Sequence, residues 1–258
     1  MVLNWYKYIV VFIALINALF AQQNDGYSVN QPRFYKQQLH FGFTIAYNQT
    51  DFRLNTVKNS LFPDTVIKSN NVDTRYRIRS IYTRPGPGFA IGLVTDFRIF
   101  EYMRLRTTPS ISFASRKIEY FLSNAARDSS KYFEKTVEST FLIFPLEIKV
   151  QSKRLGNFSA YVIGGGGYML DLASRKKAAG VQSGGANQLD DNVKLKRDDY
   201  YYSGGAGVDF YLMYFKLGFE LKLHQGTKNL LQKENSIFTN SLDKVRSRMV
   251  TFTVTFEG

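Results

Sequence analysis

Short segments that alternate apolar and polar residues recur along the whole chain, and this period of two restricts the fold most. In the segment 40–48, Phe41, Phe43, Ile45 and Tyr47 share one face, while small or polar residues occupy the other. Successive side chains of a β-strand point to opposite faces, so this period predicts a strand with one apolar face. Five further segments repeat the pattern, near 88–100, 103–115, 139–150, 215–224 and 249–256, and the glycine-rich segments 161–174 and 203–212 are placed on two more strands. The sequence therefore predicts an all-β chain with eight principal strands.

The first 21 residues predict a secretory signal peptide. Lys7 precedes an apolar stretch from Ile9 to Phe20, which ends at the small residue Ala21. This stretch is shorter than the roughly 20 apolar residues that a membrane-spanning helix needs. We therefore expect cleavage after Ala21 and export of the mature chain, with an uncleaved anchor as the alternative. The sequence has no cysteine, which excludes a lipoprotein anchor, a disulfide framework and a thiolate zinc site.

The connections between the predicted strands distinguish a membrane barrel from a water-soluble sandwich. Alternation alone fits both folds, because a sandwich turns its apolar faces inward. Here, short joints near 100–102, 152–157 and 213–214 take turns with long ones, near 55–86, 122–136, 175–198 and 225–245. Short turns at one end and long loops at the other are typical of outer-membrane barrels. A closed barrel also satisfies every backbone polar group within lipid.

We therefore predict an eight-stranded antiparallel transmembrane β-barrel of the bacterial outer membrane. The barrel would span residues 39–258, after a signal peptide at 1–21 and a short periplasmic lead at 22–38, with both termini in the periplasm. The segment 74–83 also has a strand pattern. We interpret it as part of the first outer loop or as a strand extension above the membrane, because a ninth spanning strand would break the even count.

Four consecutive glycines at 164–167 raise the question of a phosphate-binding loop. Such a loop needs glycines that open a helix, followed in its Walker form by Gly-Lys-Ser/Thr. Tyr168, Met169 and Leu170 follow here instead. We therefore place the glycines in the middle of a strand, where missing side chains permit bending and close packing inside a small barrel.

The polar faces of the predicted strands carry ten charged residues that we expect to point inward. They are the acids Asp96, Glu147, Asp209 and Glu220 and the bases Arg98, Arg104, Arg106, Lys149, Lys216 and Lys222. An eight-stranded barrel is just wide enough inside for side chains to fill it. Unpaired buried charges are costly, so we predict that these residues pair into a network that closes the lumen. A small passive porin that favours anions is the alternative, given the net charge of +13.

Six segments, taken in order, resemble the PorT family. They are GFAIGLVTDFRI, ESTFLIFPLEIKV, YVIGGGGYMLDLAS, KLKRDDYYYSGGAGVDFYL, FKLGFELKLHQGTKNLL and IFTNSLDKVRSRMVTFTVTF, and the likeness extends over nearly all of the chain from about residue 39. PorT proteins are outer-membrane barrels associated with the type IX secretion system of certain Gram-negative bacteria, where secretion supports protease export and gliding motility. The resemblance implies an accessory role in protein secretion, with secretion-machinery proteins as partners. It implies no catalytic residue and no cofactor.

A lipid-modifying barrel enzyme is a third possibility, for which His40 and His224 are the only histidines available. No nucleophile elbow, paired-carboxylate spacing or metal-binding pattern surrounds either of them. We therefore predict that the protein is not an enzyme and that it holds no metal. We interpret His40 as a residue of the periplasmic rim and His224 as a residue of an outer loop.

Basic residues concentrate in two of the predicted outer loops. They are Arg75, Arg77, Arg79 and Arg84 in the first loop, and Arg175, Lys176, Lys177, Lys194, Lys196 and Arg197 in the third. We expect contact with outer-membrane lipid and with the anionic phosphates of lipopolysaccharide, with ordinary solvated loops as the alternative. Nucleic acid is not an expected partner, because an exported barrel does not meet it in the cytoplasm.

The C-terminal segment MVTFTVTFEG resembles the last strand by which the barrel-assembly machinery recognises its clients. Phe256 is its terminal aromatic residue. We therefore predict that Phe256 is an assembly signal and that the assembly machinery is a partner during biogenesis.

Overall fold

The computed structural model describes residues 29–56, 65–69, 72–124, 130–173, 195–232 and 242–258. A short 3-10 helix, Phe34–Lys36, precedes the strands β1 (Leu39–Thr56), β2 (Thr65–Ser69), β3 (Val72–Arg84), β4 (Gly86–Arg98), β5 (Met103–Thr107), β6 (Ser110–Asn124), β7 (Ser130–Gln151), β8 (Phe158–Asp171), β9 (Asp198–Tyr211), β10 (Lys216–Gly226) and β11 (Leu242–Glu257). None of the helical residues described forms a helix long and apolar enough to cross a membrane.

The strands close into a ring of antiparallel pairs. Starting from β1, the ring runs through β11, β10, β9, β8 and β7, then through β5 and β6, which together form one member, and through β4 back to β1. The closing pair joins β1 to β4, from Leu39 opposite Phe97 to Thr50 opposite Gly86. The ring has eight members, as predicted, and its closure removes the free edges that an open sheet would expose.

Two prolines account for the break between β5 and β6. Pro109 separates the two strands, and Pro145 lies on β7 between the residues that pair with β6 and those that pair with β5. Proline has no N–H to donate to a neighbouring strand, so both prolines lie where the pairing is interrupted. The Thr107 hydroxyl donates a hydrogen bond of 2.7 Å to the Pro145 carbonyl across this break.

The segment 74–83 extends a ring strand. It lies within β3, which is separated from β4 by Pro85 alone and pairs with β6 from Tyr76 opposite Asn124 to Arg84 opposite Lys117. β3 therefore lengthens the β4 member of the ring at one end and adds no ninth member, as we predicted. β2 pairs with β3 outside the ring.

Apolar side chains cover the outside of the ring, and polar side chains fill the inside. Phe41, Leu93 and Leu146 are 59–64% exposed, whereas Asp96 and Glu147 are 0% exposed. A water-soluble sandwich would have the opposite arrangement, because folded chains in water bury their large apolar residues. The alternation predicted from the sequence is thus present, and its apolar face points outward.

The two ends of the barrel differ. The turn end carries the short connections 99–102, 152–157 and 212–215, together with residue 258. The loop end carries the longer connections and the ends of β1, β3, β6, β7 and β11 that run beyond the outer apolar band. On β1, for example, the outward apolar residues end at Tyr47, and Gln49, Asp51 and Arg53 follow.

The glycine runs of β8 and β9 make room for two tyrosine rings inside the barrel. Gly167 lies opposite Tyr201, and Gly207 lies opposite Tyr161. A Cβ atom on Gly207 would lie 2.4 Å from the Tyr161 ring, and one on Gly165 would lie 2.3 Å from the Leu146 carbonyl oxygen. Both distances are shorter than atoms tolerate, so these positions need glycine. The four glycines at 164–167 lie in the middle of β8, as predicted.

Candidate functional site

Ten of the buried charged side chains form a group between the turn end and the middle of the lumen, and each is at most 5% exposed. They are the acids Asp96, Glu147, Asp209, Glu220 and Glu257 and the bases Arg104, Arg106, Lys149, Lys216 and Lys222. Arg116, Glu119, Asp171 and Asp199 are buried nearer the loop end. Five negative and five positive charges give the group of ten no net charge. Charge balance matters here because each unpaired ion in a space of low dielectric constant carries a large desolvation cost.

Arg106 on β5 is the most connected member of the group. Its Nε and Nη2 atoms donate hydrogen bonds of 2.9 and 2.7 Å to the two carboxylate oxygens of Asp96, which lies directly opposite on β4. Nη2 also donates to Glu257 at 2.6 Å, and Nη1 donates to Glu220 at 3.4 Å. One guanidinium thus joins acids from β4, β10 and β11, which a planar group with five donors does well.

Two lysines connect the remaining acids near the turn end. The Lys149 ammonium lies 2.6 Å from an oxygen of Asp209. The Lys216 ammonium lies 2.5 Å from Glu257 and 3.7 Å from Asp209. The Lys149–Asp209 contact joins β7 to β9, which are not adjacent in the ring, whereas Lys216 contacts acids on the two strands beside β10.

A third set of contacts lies nearer the middle of the lumen. Lys222 is 2.9 Å from both Glu147 and Glu220. Ser203 donates a 2.6 Å hydrogen bond to the other oxygen of Glu147, and Tyr161 donates one of 2.9 Å to Glu220. The Ser203 hydroxyl thus binds the Glu147 oxygen that Lys222 does not contact, and the Tyr161 hydroxyl shares one oxygen of Glu220 with Arg106.

Nine of the ten residues predicted for the lumen lie in this group, and Arg98 does not. Arg98 is half-buried near the turn end, where its guanidinium donates to the backbone carbonyl of Lys36 at 3.4 Å. Arg104 is buried among the others but forms no ion pair within the described residues. Glu257 was missing from the prediction, although it continues the inward alternation of Thr251, Thr253 and Thr255 on β11.

The residues that precede β1 cover the turn end of the lumen. Phe34 is buried there, and its ring stacks on the ring of His40 with 3.7 Å between centroids. The Nε2 atom of His40 lies 3.0 Å from the Phe34 carbonyl, and the Lys216 ammonium lies 5.0 Å from the Phe34 ring. Arg154 holds this segment in place by donating to the carbonyls of Asn30 and Gln31.

Both histidines point into the lumen. His40 on β1 is 1% exposed, and His224 on β10 is 8% exposed, with its ring 5.2 Å from that of Tyr201. The expectation that His224 belongs to an outer loop is therefore wrong, because β10 continues to Gly226. Neither imidazole reaches the outer apolar surface, where the acyl chain of a lipid substrate would lie.

An apolar cluster fills the lumen at the loop end. It consists of Phe52, Ile118, Tyr120, Val137, Leu231, Leu242 and Val245. Below it, the buried guanidinium of Arg116 lies 4.2 Å from the Phe52 ring and 4.9 Å from the Phe141 ring, and it donates to Ser139 at 2.6 Å. Leu231 lies outside the ring strands, so a connection at this end contributes to the seal.

Between the charged group and the apolar cluster is a cavity of about 40 Å³. Asn48, Tyr201, His224 and Thr251 line it, and each has a side-chain polar atom that makes no hydrogen bond within the described part of the chain. A single water needs roughly 10–15 Å³ by this measure, so the cavity accommodates two or three waters. It is too small for a solute that a porin would carry.

Ion pairs at the loop end lie outside the apolar band. Lys117 on β6 is 2.7 Å from Glu134 on β7, and this hydrogen bond lowers the pKa of the Glu134 carboxyl. Lys228 likewise contacts Asp198, and its hydrogen bond lowers the pKa of that carboxyl. Arg84, one of the basic residues predicted for the first outer loop, is paired with Glu119.

Other predicted residues are placed as follows. Phe256 lies on the outer face of β11, with its ring stacked on that of Phe43 at 4.7 Å. Arg75, Arg77 and Arg79 lie on β3. Lys196 and Arg197 immediately precede β9. Ala21, the rest of the signal peptide and the basic residues 175–177 and 194 lie outside the described residues.

Comparison with known proteins agrees with this architecture. The family model described as outer membrane protein beta-barrel domain matches residues 20–232. The chain belongs to this family. The match includes ten of the eleven strands of this outer-membrane barrel, and β11 closes the ring beyond the matched region. No curated protein sequence matches the barrel.

Solved structures of outer-membrane proteins are also similar to this barrel. The outer membrane protein OprG from Pseudomonas aeruginosa is 14% identical, with 85% of this chain and 92% of OprG covered and a TM-score of 0.38. The outer membrane protease OmpT from Escherichia coli is 11% identical, with coverage of 91% and 98% and a TM-score of 0.30. A FadL homologue from Pseudomonas aeruginosa is 11% identical, with coverage of 86% and 90% and a TM-score of 0.24.

Proposed function

We propose that this outer-membrane barrel is a non-catalytic accessory component of type IX protein secretion, and that it acts through its surfaces while its lumen stays closed. The observation that carries the proposal is the balanced group of five acids and five bases inside the ring. A porin of this size would need a continuous water-filled path, whereas these side chains bind one another across the lumen.

The seals at both ends support a closed barrel. Phe34 covers the charged group at the turn end, and the apolar cluster around Phe52 and Val245 covers it at the loop end. The cavity between them has a volume of about 40 Å³. A solute would have to displace both seals and break several buried ion pairs, each of which is costly to open.

The resemblance to the PorT family supports the secretion role. The resembling segments include strands β4 and β7–β11 of the ring, so the likeness extends around most of the barrel. We further propose that the turn end and both termini face the periplasm and that the loop end faces outward, because outer-membrane barrels have short periplasmic turns and longer outer loops.

We infer that the barrel is not an enzyme. A lipid-modifying active site would need its nucleophile and base within reach of a lipid tail, and both histidines are buried inside the ring. The partners proposed here are secretion-machinery proteins at the rims, with Met213 and Tyr214, 71% and 86% exposed at the turn end, as candidate contacts. The barrel-assembly machinery and the surrounding outer-membrane lipid, including lipopolysaccharide, are the other proposed partners.

A deletion strain of the native host tests this function through two measurements. The first is the export of type IX cargo into the medium, and the second is the permeability of the outer membrane to small dyes. We expect export to be lost while dye uptake stays at the wild-type level, and we expect the wild-type gene to restore export. Normal export in the deletion strain would contradict the secretion role, and slower dye or solute uptake would favour a porin.

A further inference from the structure

Four basic side chains stand on the outer surface of β1 and β11 at the loop end, just beyond the apolar band. They are Arg53, Lys244, Arg246 and Arg248, and all are exposed. Arg53 lies directly opposite Arg246 in the antiparallel pair, and Arg248 lies two residues from Arg246 on the same face. Three guanidinium groups therefore share one small area of the barrel wall.

This arrangement is unfavourable without a bound anion. Like charges directly opposite one another destabilise an antiparallel strand pair. Neither Arg53 nor Arg246 nor Arg248 forms an ion pair with an acid within the residues that the structure describes. Asp51 lies opposite Arg248, but it is half-buried and its carboxylate accepts the backbone N–H of Phe52 at 2.7 Å.

Some other basic residues at the loop end have acidic partners. Lys117 is paired with Glu134, and Lys228 is paired with Asp198. Beside the three arginines of the β1–β11 surface, the described residues supply no such partner. Within this part of the chain, their positive charges are therefore free to attract an external anion.

The height of the arginines above the apolar band fits the headgroup layer of a membrane. Arg248 and Arg246 lie two and four residues beyond Val250, the last apolar residue on this face of β11. At about 3.4 Å per residue and a tilt of about 45°, they lie ~5 and ~10 Å above the band. Headgroups occupy roughly 5–8 Å on each side of the hydrocarbon core, and arginine side chains reach several ångströms further.

We propose that Arg53, Arg246 and Arg248 bind the phosphate groups of an anionic glycolipid of the outer leaflet, while its acyl chains lie against the apolar band below. Guanidinium groups bind phosphate oxygens with two parallel hydrogen bonds, so three of them can hold a lipid with two phosphates. The outer leaflet as the source of the lipid depends on the orientation given under Proposed function. The phosphate chemistry of the three arginines does not depend on it.

Binding of diphosphoryl lipid A to the purified chain, refolded in a neutral detergent, tests this site directly. The test variant is Arg53→Gln/Arg246→Gln/Arg248→Gln. The control variant, Arg33→Gln/Lys36→Gln/Lys153→Gln, removes three exposed positive charges at the turn end. We expect the test variant to bind lipid A about tenfold more weakly or worse, since each basic residue near an anionic lipid contributes to the attraction. We expect the control to bind within about twofold of wild type.

Two further measurements test which ligand the site prefers and whether the arginines stabilise the fold. Inorganic phosphate and phosphatidylglycerol at the same concentrations distinguish a glycolipid site from a site for free phosphate or for phospholipid in general. Equal binding of either would overturn the glycolipid assignment, and equal binding of lipid A by wild type and test variant would overturn the site.

Without lipid, the test variant should unfold at a higher temperature than wild type, because the opposed arginines are gone. A lower unfolding temperature would mean that the arginines support the fold itself and would contradict the proposal.

The lipid-binding result does not depend on the secretion role. Lipid binding is measured on the isolated chain, so no secreted cargo is needed to test it. Loss of export in the deletion strain with unchanged lipid binding in the test variant would support the secretion role and refute the lipid site.

Discussion

Replacing Arg106 by methionine removes the guanidinium that joins three buried carboxylates. The loss is unequal among the three. Glu257 keeps the Lys216 ammonium at 2.5 Å, and Glu220 keeps that of Lys222 at 2.9 Å. Asp96 loses both of its short hydrogen bonds, and among the described residues it retains only the Lys216 ammonium, at 3.9 Å. The main penalty is therefore one buried carboxylate that loses its principal partner.

Removing one partner of a buried ion pair typically costs about 3–5 kcal/mol, because the other charge stays desolvated. We expect Arg106→Met to lower the free energy of unfolding by about that amount. The double variant Arg106→Met/Asp96→Asn removes the stranded charge and restores the balance of acids and bases. It should recover roughly half of the loss or more, since two neutral partners tolerate burial better than one charged group does.

Urea unfolding of the chain refolded in lipid vesicles measures both variants, with far-ultraviolet circular dichroism and the gel mobility of the folded barrel as readouts. Arg98→Met is the matched control, because Arg98 lies on the same strand as Asp96 but outside the charged group. We expect it to change stability by no more than about 0.5 kcal/mol. An Arg106→Met loss below about 1 kcal/mol, or a double variant no more stable than the single one, would refute the charge-pairing argument.

Three further predictions concern other parts of the barrel. Gly165→Ala should destabilise the fold by about 1–3 kcal/mol, because its Cβ would lie 2.3 Å from a β7 carbonyl oxygen. Gly204→Ala should be tolerated, because a Cβ there would have no atom within 4 Å. Equal urea midpoints for the two variants would contradict this prediction. Phe256→Ala should reduce the amount of folded barrel in outer-membrane fractions, and normal amounts would refute its role as an assembly signal. Glu134 should titrate below 4.5 by NMR, and Lys117→Gln should raise that value. Since the pKa of Glu134 is lowered in the folded state, its ion pair stabilises the barrel above pH 4.5 and loses this effect as the pH falls through the lowered value. An unchanged pKa in the variant would exclude Lys117 as the cause.

Period-two alternation, together with the lengths of the connections, predicted the ring and the direction in which most side chains point. Alternation indicates which face of a strand a residue occupies. In a closed ring, one face of each strand lines the lumen and the other face lies on the outer surface. Lys149 and Asp209 were therefore both predicted to face the lumen, although 59 residues lie between them in the sequence. Their partnership was not predictable, because it depends on which strands face each other across the lumen.

The misplaced residues all lie near strand ends. His224 seemed to belong to a loop because polar residues follow it, yet backbone pairing carries β10 two residues further. Glu257 follows the last aromatic residue of β11, and only its pairing with Gly42 and Lys216 shows that the strand continues. Arg98 is the last residue of β4, and its guanidinium contacts the backbone of the segment before β1. Strand ends are set by the neighbouring strands, which the local pattern does not describe.

The covering of the turn end by Phe34 also had no signal in the local sequence. The segment before β1 is short, polar and without alternation, so it was assigned only to a periplasmic lead. Its position follows from contacts distant in sequence, namely stacking on His40 and hydrogen bonds from Arg154. Such contacts become visible only when the closed ring brings them together.

Single-channel recording in a planar lipid bilayer tests the closed lumen most directly. We expect the purified barrel to insert without producing reproducible conductance steps, because Phe34, the charged group and the apolar cluster obstruct the lumen in series. A refolded outer-membrane porin in the same bilayer is the positive control. Stable, voltage-independent steps that recur with each insertion of this barrel would show an open path and would contradict the closed, surface-acting role proposed here.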